Sequence, residues 1–344
     1  MKNRKYLMIA VVAFSTLLSS FAFYAYQVVY VANFNVEKDD SYFYIPTGAG
    51  FKDVQQRLKK QEVVGNLMAF SFLAKIMDYH QSVKPGRYLI KKDMTNLDAI
   101  RMLRAGDQAP TRISFSTAKF VKDLAGPLAE NIELTEGEVA KFLTDSTRMV
   151  EYGFTPETYI GMFIPNTYEV YWTIDGPSLM DRLKKEYDKF WTPERIAKAD
   201  SIGLTRNEVT TLASIVQAET AQSDEKPKVA GVYMNRLSKN IKLDADPTLI
   251  FANNDFTIRR VLNKHKEIDS PYNTYKYAGL PPGPIRMPNI TSLDAVLNYE
   301  QHDYIFFCAR EDFSGYHNFA ETYKEHLKNA RKYRKALNER KIYK

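Results

Sequence analysis

An uncharged stretch near the N-terminus constrains this chain more than any other feature. From Tyr6 to about Val31 the sequence contains no charged residue. A run of more than ~20 apolar residues is long enough to cross a bilayer as a helix. Basic residues mark the cytoplasmic side of such a helix, and three precede the run: Lys2, Arg4 and Lys5. The sequence therefore predicts one membrane span, residues 6–31, with residues 1–5 in the cytoplasm and the rest of the chain outside.

A cleaved signal peptide is the alternative, because its basic head would look the same. The apolar core of a signal peptide normally covers only ~7–15 residues, and this run is much longer. Its segment Ser19–Ala25 offers a poor small-residue cleavage signal. We therefore expect a retained single-span anchor.

The rest of the 344 residues gives room for two or three modest domains. The formal net charge of +7 suits an anionic polymer or anionic lipid as well as nucleic acid. Because the chain has no zinc-finger spacing and no RNP-type sequence, we expect no nucleic-acid partner. One cysteine, Cys308, excludes an intramolecular disulfide. Its apolar neighbours favour a buried strand residue over a nucleophile.

Residues 41–107 are predicted to form a small α+β module. A strand at Tyr42–Pro46 is followed by helices at Phe51–Lys60 and about Leu67–Met77, and a second strand, Arg87–Ile90, follows a Pro-Gly break. A further helix is expected at Thr95–Arg104. The βααβ layout resembles a LysM-like glycan-binding domain. A spacer with its own core fits the pattern equally well.

A helix that begins at Thr205 carries the most informative acid. Thr205 and Glu208 form a capping-box pattern, which predicts a helix start. Residues at helical spacing from Leu212 to Val216 define an apolar face, on which Glu219 also lies. A carboxylic acid in apolar surroundings has a raised pKa and can hold a proton as a general acid must. From this helix alone, a solvated glutamate near a helix end is the alternative.

Two further segments are expected to surround this helix. A helix over Ser223–Leu237 leads into a turn, Leu243–Thr248, in which Asp246 is a candidate second carboxylate. A plain turn or capping role is the alternative for Asp246. Later, Gly279–Ile285 holds three prolines and two glycines, which exclude a helix or a central strand. We expect its glycines to permit close approach of a ligand.

The chain is expected to end in an apolar strand, Tyr304–Ala309, and a long helix, about Ala320–Leu337.

The sequence lacks the motifs of several common kinds of catalytic site. The five histidines show no HExxH or similar metal spacing, and the sequence has no GxSxG elbow and no P-loop. We therefore expect neither a metal nor a cofactor.

Six motifs in order carry a family resemblance: LASIVQAET, GVYMNRL, DPT, SPYNTY, GLPPGPI and GYHNF, all between Ser201 and Tyr323. Together they resemble the YceG-like family, the MltG-type endolytic murein transglycosylases of the bacterial cell envelope. The resemblance implies a single-pass protein of the cytoplasmic membrane. Its external part would hold the LysM-like module and a mixed α+β catalytic domain, residues 108–344 with a core at 201–323.

The resemblance also implies the reaction. Such enzymes cleave the β-1,4 bond between N-acetylmuramic acid and N-acetylglucosamine inside peptidoglycan strands, leave 1,6-anhydro ends, terminate nascent strands and work in cell-wall assembly. Cell-wall synthases are the partners it suggests. The essential glutamate of the family matches Glu219. From motif membership and polarity, the candidates for substrate binding are Asn235, Asp246, Thr248, Asn273, Tyr275, Pro282, Gly283 and His317.

One departure bears on the acid. Family members often carry another glutamate two residues earlier, where this chain has Gln217. Positions 217 and 219 point in different directions on a helix, so only one can face a given cleft. If position 217 were the catalytic one, the protein would be inactive. Two other functions stay open: a lysozyme-like hydrolase with Asp246 as second carboxylate, and a non-catalytic scaffold that binds peptidoglycan.

Overall fold

The computed structural model describes residues 2–36, 41–258 and 260–340. Met1, in the predicted cytoplasmic end, and residues 341–344 of the predicted catalytic domain lie outside this range. The α-helices are α1 Lys2–Tyr30, α2 Phe51–Lys60, α3 Leu67–Ile76, α4 Asn96–Ala105, α5 Ala125–Ala129, α6 Glu136–Leu143, α7 Ser146–Glu151, α8 Gly176–Phe190, α9 Pro193–Ser201, α10 Arg206–Glu219, α11 Lys226–Ser238, α12 Asp246–Ala252, α13 Asn263–Lys266, α14 Ile290–Leu297 and α15 Tyr323–Glu339.

Among the described residues, six short strands complete the fold, which is mixed α+β as the sequence predicts. They are β1 Ser41–Ile45, β2 Gly86–Ile90, β3 Thr111–Phe115, β4 Asn166–Val170, β5 Phe306–Ala309 and β6 His317–Ala320. They form three two-stranded sheets, β1–β2, β3–β4 and β5–β6. The first and third sheets are antiparallel, with Ser41 opposite Ile90 and Phe306 opposite Ala320.

Helix α1 covers the predicted membrane span, residues 6–31, except for its last residue. Residues Arg4–Tyr30 form an apolar helix of 27 residues, and none of its most apolar window is buried inside the protein. At 1.5 Å per residue, such a helix is longer than the ~30 Å hydrocarbon core of a bilayer. Its length and composition are compatible with a single-pass anchor.

The chain divides into two compact units. The first consists of Met1–Ile113, Asn131–Leu134 and Glu169–Ile174. In it, β1, α2, α3 and β2 follow in the order that the sequence predicts, around a core that includes Phe43, Leu58, Phe70 and Tyr88. The resemblance of this unit to a LysM-like domain stays a prediction, as do the domain boundaries.

The second unit consists of Ser114–Glu130, Thr135–Tyr168 and Asp175–Lys344, and its centre is α10. Thr205 and Glu208 form the predicted capping box: the Glu208 carboxylate accepts hydrogen bonds from the Thr205 backbone N–H and hydroxyl, both at 2.7 Å. From Val209 to Val216 every residue of α10 is buried, and the helix packs against α11, α12 and α14. This fixes the direction in which its C-terminal residue, Glu219, points.

Four sequence predictions differ in detail. Asp246 begins α12 instead of lying in a turn, because Pro247 occupies the first helical turn, where its missing N–H costs nothing. Helix α11 begins at Lys226, three residues later than expected. Helix α15 begins at Tyr323, where the Thr322 side chain caps it. Cys308 lies in a strand as expected, but it is half-buried.

Candidate active site

Glu219 is the last residue of α10 and opens into a cleft of about 500 Å³. The residues that line the cleft come from α10, α11, the segment before α12, the first residue of α12, the end of α13, the loop after α13, β5 and α15, all within the second unit. The acid therefore lies where one buried helix ends and a concave surface begins. The lining residues are Glu219, Tyr233, Arg236, Leu243, Asp244, Asp246, Lys266, Tyr275, Phe306, Phe307, Tyr323 and His326.

Tyr233 is the hydrogen-bond partner of this acid. Its hydroxyl donates to Oε1 of Glu219 at 2.6 Å, and its side chain is 1% exposed. Tyr233 lies on the apolar stripe of α11 and packs edge-on against Phe307. Because the ring is buried and packed against Phe307, its hydroxyl holds the carboxyl group of Glu219 in one orientation.

The surroundings of Glu219 change its acidity. Burial raises the pKa of Glu219 to about 7, and the negative charge of Asp246 acts in the same direction. The Tyr233 hydrogen bond, together with His317 and Arg236, lowers the pKa in part. Glu219 therefore has a pKa near neutral pH, where a single carboxyl group can both donate and accept a proton.

A second carboxylate, that of Asp246, lines the same cleft. Asp246 accepts a hydrogen bond from the Tyr275 hydroxyl at 2.6 Å. Lys266 lies over the ring of Tyr275, with its Nζ 4.3 Å from the ring centroid. Burial, the Asp246 hydrogen bond and the Asp246 charge raise the pKa of Tyr275. Two of the predicted residues, Asp246 and Tyr275, therefore share the cleft with Glu219.

Arg236 places a fixed positive charge at the edge of the cleft. Its side chain is nearly buried, and its Nε donates to the carbonyl of Ile305 at 2.6 Å. Its Nη1 donates to the carbonyls of Lys242 and Leu243 and to the Asp244 carboxylate, at 2.8, 3.0 and 3.1 Å. With so many bonds to the protein, the guanidinium is fixed in place.

His317 pairs with the buried carboxylate of Glu225. Its Nδ1 and its backbone N–H each lie 2.7 Å from the Glu225 carboxylate, which also accepts a hydrogen bond from Thr220 at 3.1 Å. Burial raises the pKa of Glu225, but the hydrogen bonds and charge of His317 outweigh it and hold this pKa below its usual range. His317 thus contacts the residue after Glu219 through Glu225 and is not among the residues that line the cleft.

Three other predicted residues hold the backbone in place. The Asn235 amide donates to the carbonyls of His302 and Tyr304 at 2.6 and 3.0 Å. Two further side chains, those of Thr248 and Asn273, are fully buried and bond to nearby backbone groups. None of the three lines the Glu219 cleft.

The proline-rich loop packs against α10 from outside the cleft. The N–H of Ile285 donates to the Ser214 hydroxyl at 3.0 Å. Gly283 is buried against the backbone of Glu157, where a Cβ atom would stand 2.1 Å from the carbonyl oxygen. Pro282, by contrast, is exposed. The close approach that this glycine permits is therefore that of the chain itself, and the loop supports the helix that carries Glu219.

Gln217 points away from the cleft, as its helical position requires. Its amide Nε2 donates to the Thr117 hydroxyl at 3.0 Å, and its Oε1 accepts from the Asn289 N–H at 2.5 Å. A third bond joins Oε1 to the hydroxyl of Ser292 at 3.2 Å. Position 217 is thus engaged with the start of α14, so the helix presents one carboxyl group to the cleft.

Sequence reasoning missed four kinds of contribution to this site. Tyr233 reads as a core residue of an amphipathic helix, and Arg236 as a surface cation near its end. The aromatic residues of β5 and the N-terminal turn of α15 carry no motif that marks them as cleft residues.

Among the residues that the structure describes, no group of three or more His, Cys, Asp or Glu side chains is placed to hold a metal ion.

Comparison with known proteins identifies the family. The model of the YceG-like family matches residues 43–332. An endolytic murein transglycosylase of Bacillus subtilis strain 168 is 29% identical over 318 residues, which cover 86% of this chain and 85% of that protein. One of Streptococcus pneumoniae D39 is 25% identical, over 89% of this chain and 61% of its own length.

A solved structure agrees with these relatives. The crystal structure of a YceG-like protein of Listeria monocytogenes matches with a TM-score of 0.54 and 26% identity, over 85% of this chain and 99% of that one. The family match includes the whole cleft around Glu219 and most of the first unit. The chain therefore belongs to the YceG-like family.

Proposed function

We propose that this chain is an endolytic murein transglycosylase, a lyase that cleaves the bond between N-acetylmuramic acid and N-acetylglucosamine within peptidoglycan strands. The observation that carries the proposal is Glu219, an acid with a pKa of about 7 at the wall of a cleft. Relatives named endolytic murein transglycosylases match most of the chain, and the residues matched by the family model include this cleft.

The proposed reaction uses one carboxyl group twice. Protonated Glu219 donates its proton to the glycosidic oxygen as the bond to C1 of the muramic acid breaks. The N-acetyl group of that sugar stabilises the positive charge at C1, a substrate-assisted route. Glu219, now a carboxylate, takes the proton of the C6 hydroxyl, whose oxygen bonds to C1. The product ends in a 1,6-anhydro ring, and no water is consumed.

The fixed neighbours suit both steps. Tyr233 holds the Glu219 carboxyl group by donating to one oxygen, which leaves the other free to transfer a proton. When Glu219 becomes a carboxylate, the same bond stabilises its charge. Asp246 and Tyr275, which are hydrogen-bonded to each other in the cleft, are in our proposal positioned to bind sugar hydroxyl or amide groups.

A second cleft supports cleavage inside a strand. It encloses about 190 Å³, and among its lining residues are Ala218 and Pro247, the sequence neighbours of Glu219 and Asp246. An enzyme that cuts within a polymer must bind sugars on both sides of the broken bond. In our proposal this second cleft holds sugars on one side of the broken bond, and the cleft of Glu219 holds those on the other.

The place of the protein in the cell follows from α1. We propose that α1 anchors the chain in the bacterial cytoplasmic membrane, because its length and apolar composition suit a span. The basic residues before it favour a cytoplasmic N-terminus and an external catalytic unit. There the enzyme would terminate nascent glycan strands next to the cell-wall synthases.

Digestion of intact peptidoglycan separates this proposal from a non-catalytic scaffold. The full chain in nanodiscs is incubated with purified sacculi, and soluble glycan is sized over time. We expect long fragments first, because cleavage occurs within strands, and disaccharides only late. Binding without release of glycan would identify a scaffold, and early disaccharides would contradict endolytic action.

The variant Tyr233→Phe tests whether the Tyr233 hydrogen bond sets the pKa of Glu219. In the unmodified enzyme kcat/KM should fall above about pH 7, because the proton of Glu219 is lost as the pH rises through its pKa. The Tyr233 hydrogen bond lowers that pKa, so its removal raises the pKa and moves the alkaline limb to higher pH. A bond to a charged group contributes ~1.5 kcal/mol, equivalent to roughly one pH unit.

The matched control for this variant is Tyr277→Phe. Tyr277 also donates to a carboxylate, that of Asp269, but it is exposed and outside the cleft. Its pH profile should coincide with that of the unmodified enzyme. An unshifted profile for Tyr233→Phe would contradict the role given to Tyr233.

A further inference from the structure

Helix α3 of the first unit is apolar on two opposite faces. One face lies in the core of the unit. The other exposes Met68, Phe72 and Ile76, whose exposed fractions are 81%, 53% and 61%. Because these residues recur every four positions, they form one stripe from the first turn to the last. An apolar helix face normally packs against another apolar surface, so this stripe needs a cover that the core does not supply.

Outside α1, the stripe is also the main exposed apolar surface of its unit. Beyond Val31, and within the residues of this unit that the structure describes, Tyr171 is the one other large hydrophobic side chain that is exposed. Isolated exposed hydrophobic residues need no explanation, whereas contiguous ones mark an interaction site. The stripe is therefore a candidate contact surface.

The segment that follows α1 is hydrogen-bonded to the N-terminal end of α3. Asn33, three residues after the end of α1, donates from its amide to the carbonyl of Asn66 at 3.0 Å. Its Oδ1 accepts a hydrogen bond from the N–H of Asn66 at 2.7 Å, and Asn66 caps α3 through the N–H of Ala69. Met68, the first stripe residue, is thus within one helical turn of Asn66, which Asn33 binds.

The end of α1 is itself part of this unit. Val28 is 4% exposed, and its carbonyl accepts a hydrogen bond at 2.9 Å from Asn96, which is fully buried. Asn96 also accepts from Asn33 at 2.7 Å. Helix α1 contacts α3 and α4 directly. If α1 spans the bilayer, the unit is held against the membrane surface in a fixed orientation.

We propose that α3 lies on the outer surface of the bilayer, with its stripe inserted at the boundary between headgroups and acyl chains. The proposal rests on the membrane span of α1 proposed above. A helix of ten residues is too short to cross a membrane, but an apolar face can insert to a shallow depth. Lys75 is exposed on the same side of the helix. Its ammonium group can reach lipid phosphates while its methylene groups stay in contact with the stripe.

Spin-label accessibility tests the immersion of each position. Single cysteines replace Met68, Phe72 or Ile76 in a full chain that carries Cys308→Ser, and each is labelled with a nitroxide. Two references use the same background: Ser15→Cys in the middle of α1, and Lys52→Cys, exposed in the first turn of α2. The proteins are reconstituted in vesicles of phosphatidylethanolamine and phosphatidylglycerol. Collision with oxygen, which concentrates in lipid, is compared with collision with a water-soluble nickel chelate.

We expect the ratio of oxygen to nickel collisions at all three stripe positions to be several-fold above that at Lys52 and below that at Ser15. Ratios equal to that of Lys52, with Ser15 in lipid, would overturn the proposal while leaving the anchor intact. If the ratio at Ile76 alone fell to that at Lys52, the end of α3 would point away from the membrane into water, which would also contradict the proposal. Protection from both reagents would show a protein cover instead. A water-exposed Ser15 would remove the anchor itself.

Discussion

Replacement of Glu219 by glutamine is expected to reduce the release of soluble glycan by at least ~10²–10⁴-fold, the usual contribution of a general acid or base. Glutamine keeps the size of the side chain and can still accept the Tyr233 hydrogen bond, but it cannot donate or take up the proton. The measurement is the initial rate of glycan release from intact peptidoglycan, with a thermal melt to show that the variant is folded.

Glu208→Gln is the matched control on the same helix. Glu208 accepts both bonds of the capping box, and glutamine also serves in that position. We expect unchanged activity and a change in the free energy of unfolding within about 1 kcal/mol. Undiminished activity of Glu219→Gln would show that Glu219 is not the acid.

Gly283→Ala is expected to have the largest effect on stability. A Cβ atom at this position would stand 2.1 Å from the carbonyl oxygen of Glu157 and 2.6 Å from its carbonyl carbon. Since both are backbone atoms, the loop or its neighbour must move. Overpacking a close-fitted site typically costs ~1–3 kcal/mol, and we expect about 3 kcal/mol here, measured by urea unfolding.

Gly137→Ala is the corresponding control. Gly137 lies in α6, and a Cβ atom there would meet nothing within 4 Å. Alanine at an open helical site should stabilise by about 0.5–1 kcal/mol. If Gly283→Ala were as stable as the unmodified protein but had lost affinity for glycan, Gly283 would act in substrate binding, as its motif first suggested, and the loop would not be a support.

The sequence predicts well what is decided locally. The capping box of Thr205 and Glu208 involves residues three apart, so it can be recognised without the rest of the fold. The same holds for the orientation of Gln217 relative to Glu219, which follows from helical geometry. The start of α12 at Asp246 is also local, and Pro247 after it was the signal that could have predicted a helix there.

Contacts between distant segments could not be predicted in the same way. Tyr233 meets Glu219 because two helices pack side by side, and no spacing along the chain encodes that distance. Polar residues such as Asn273 pose a second difficulty. An amide that binds a sugar and an amide that binds backbone carbonyls have the same sequence signature, and only the fold shows that Asn273 is fully buried.

The measurement that tests the central claim most directly is digestion of peptidoglycan in water enriched in ¹⁸O, with mass analysis of the new muramic acid ends. If Glu219 regains its proton from the C6 hydroxyl of the sugar, the ends will be one water lighter than hydrolysed ends and will carry no ¹⁸O. A lysozyme-like hydrolase with Asp246 as second carboxylate would give ends that contain one added water and one ¹⁸O atom, and that result would contradict the account.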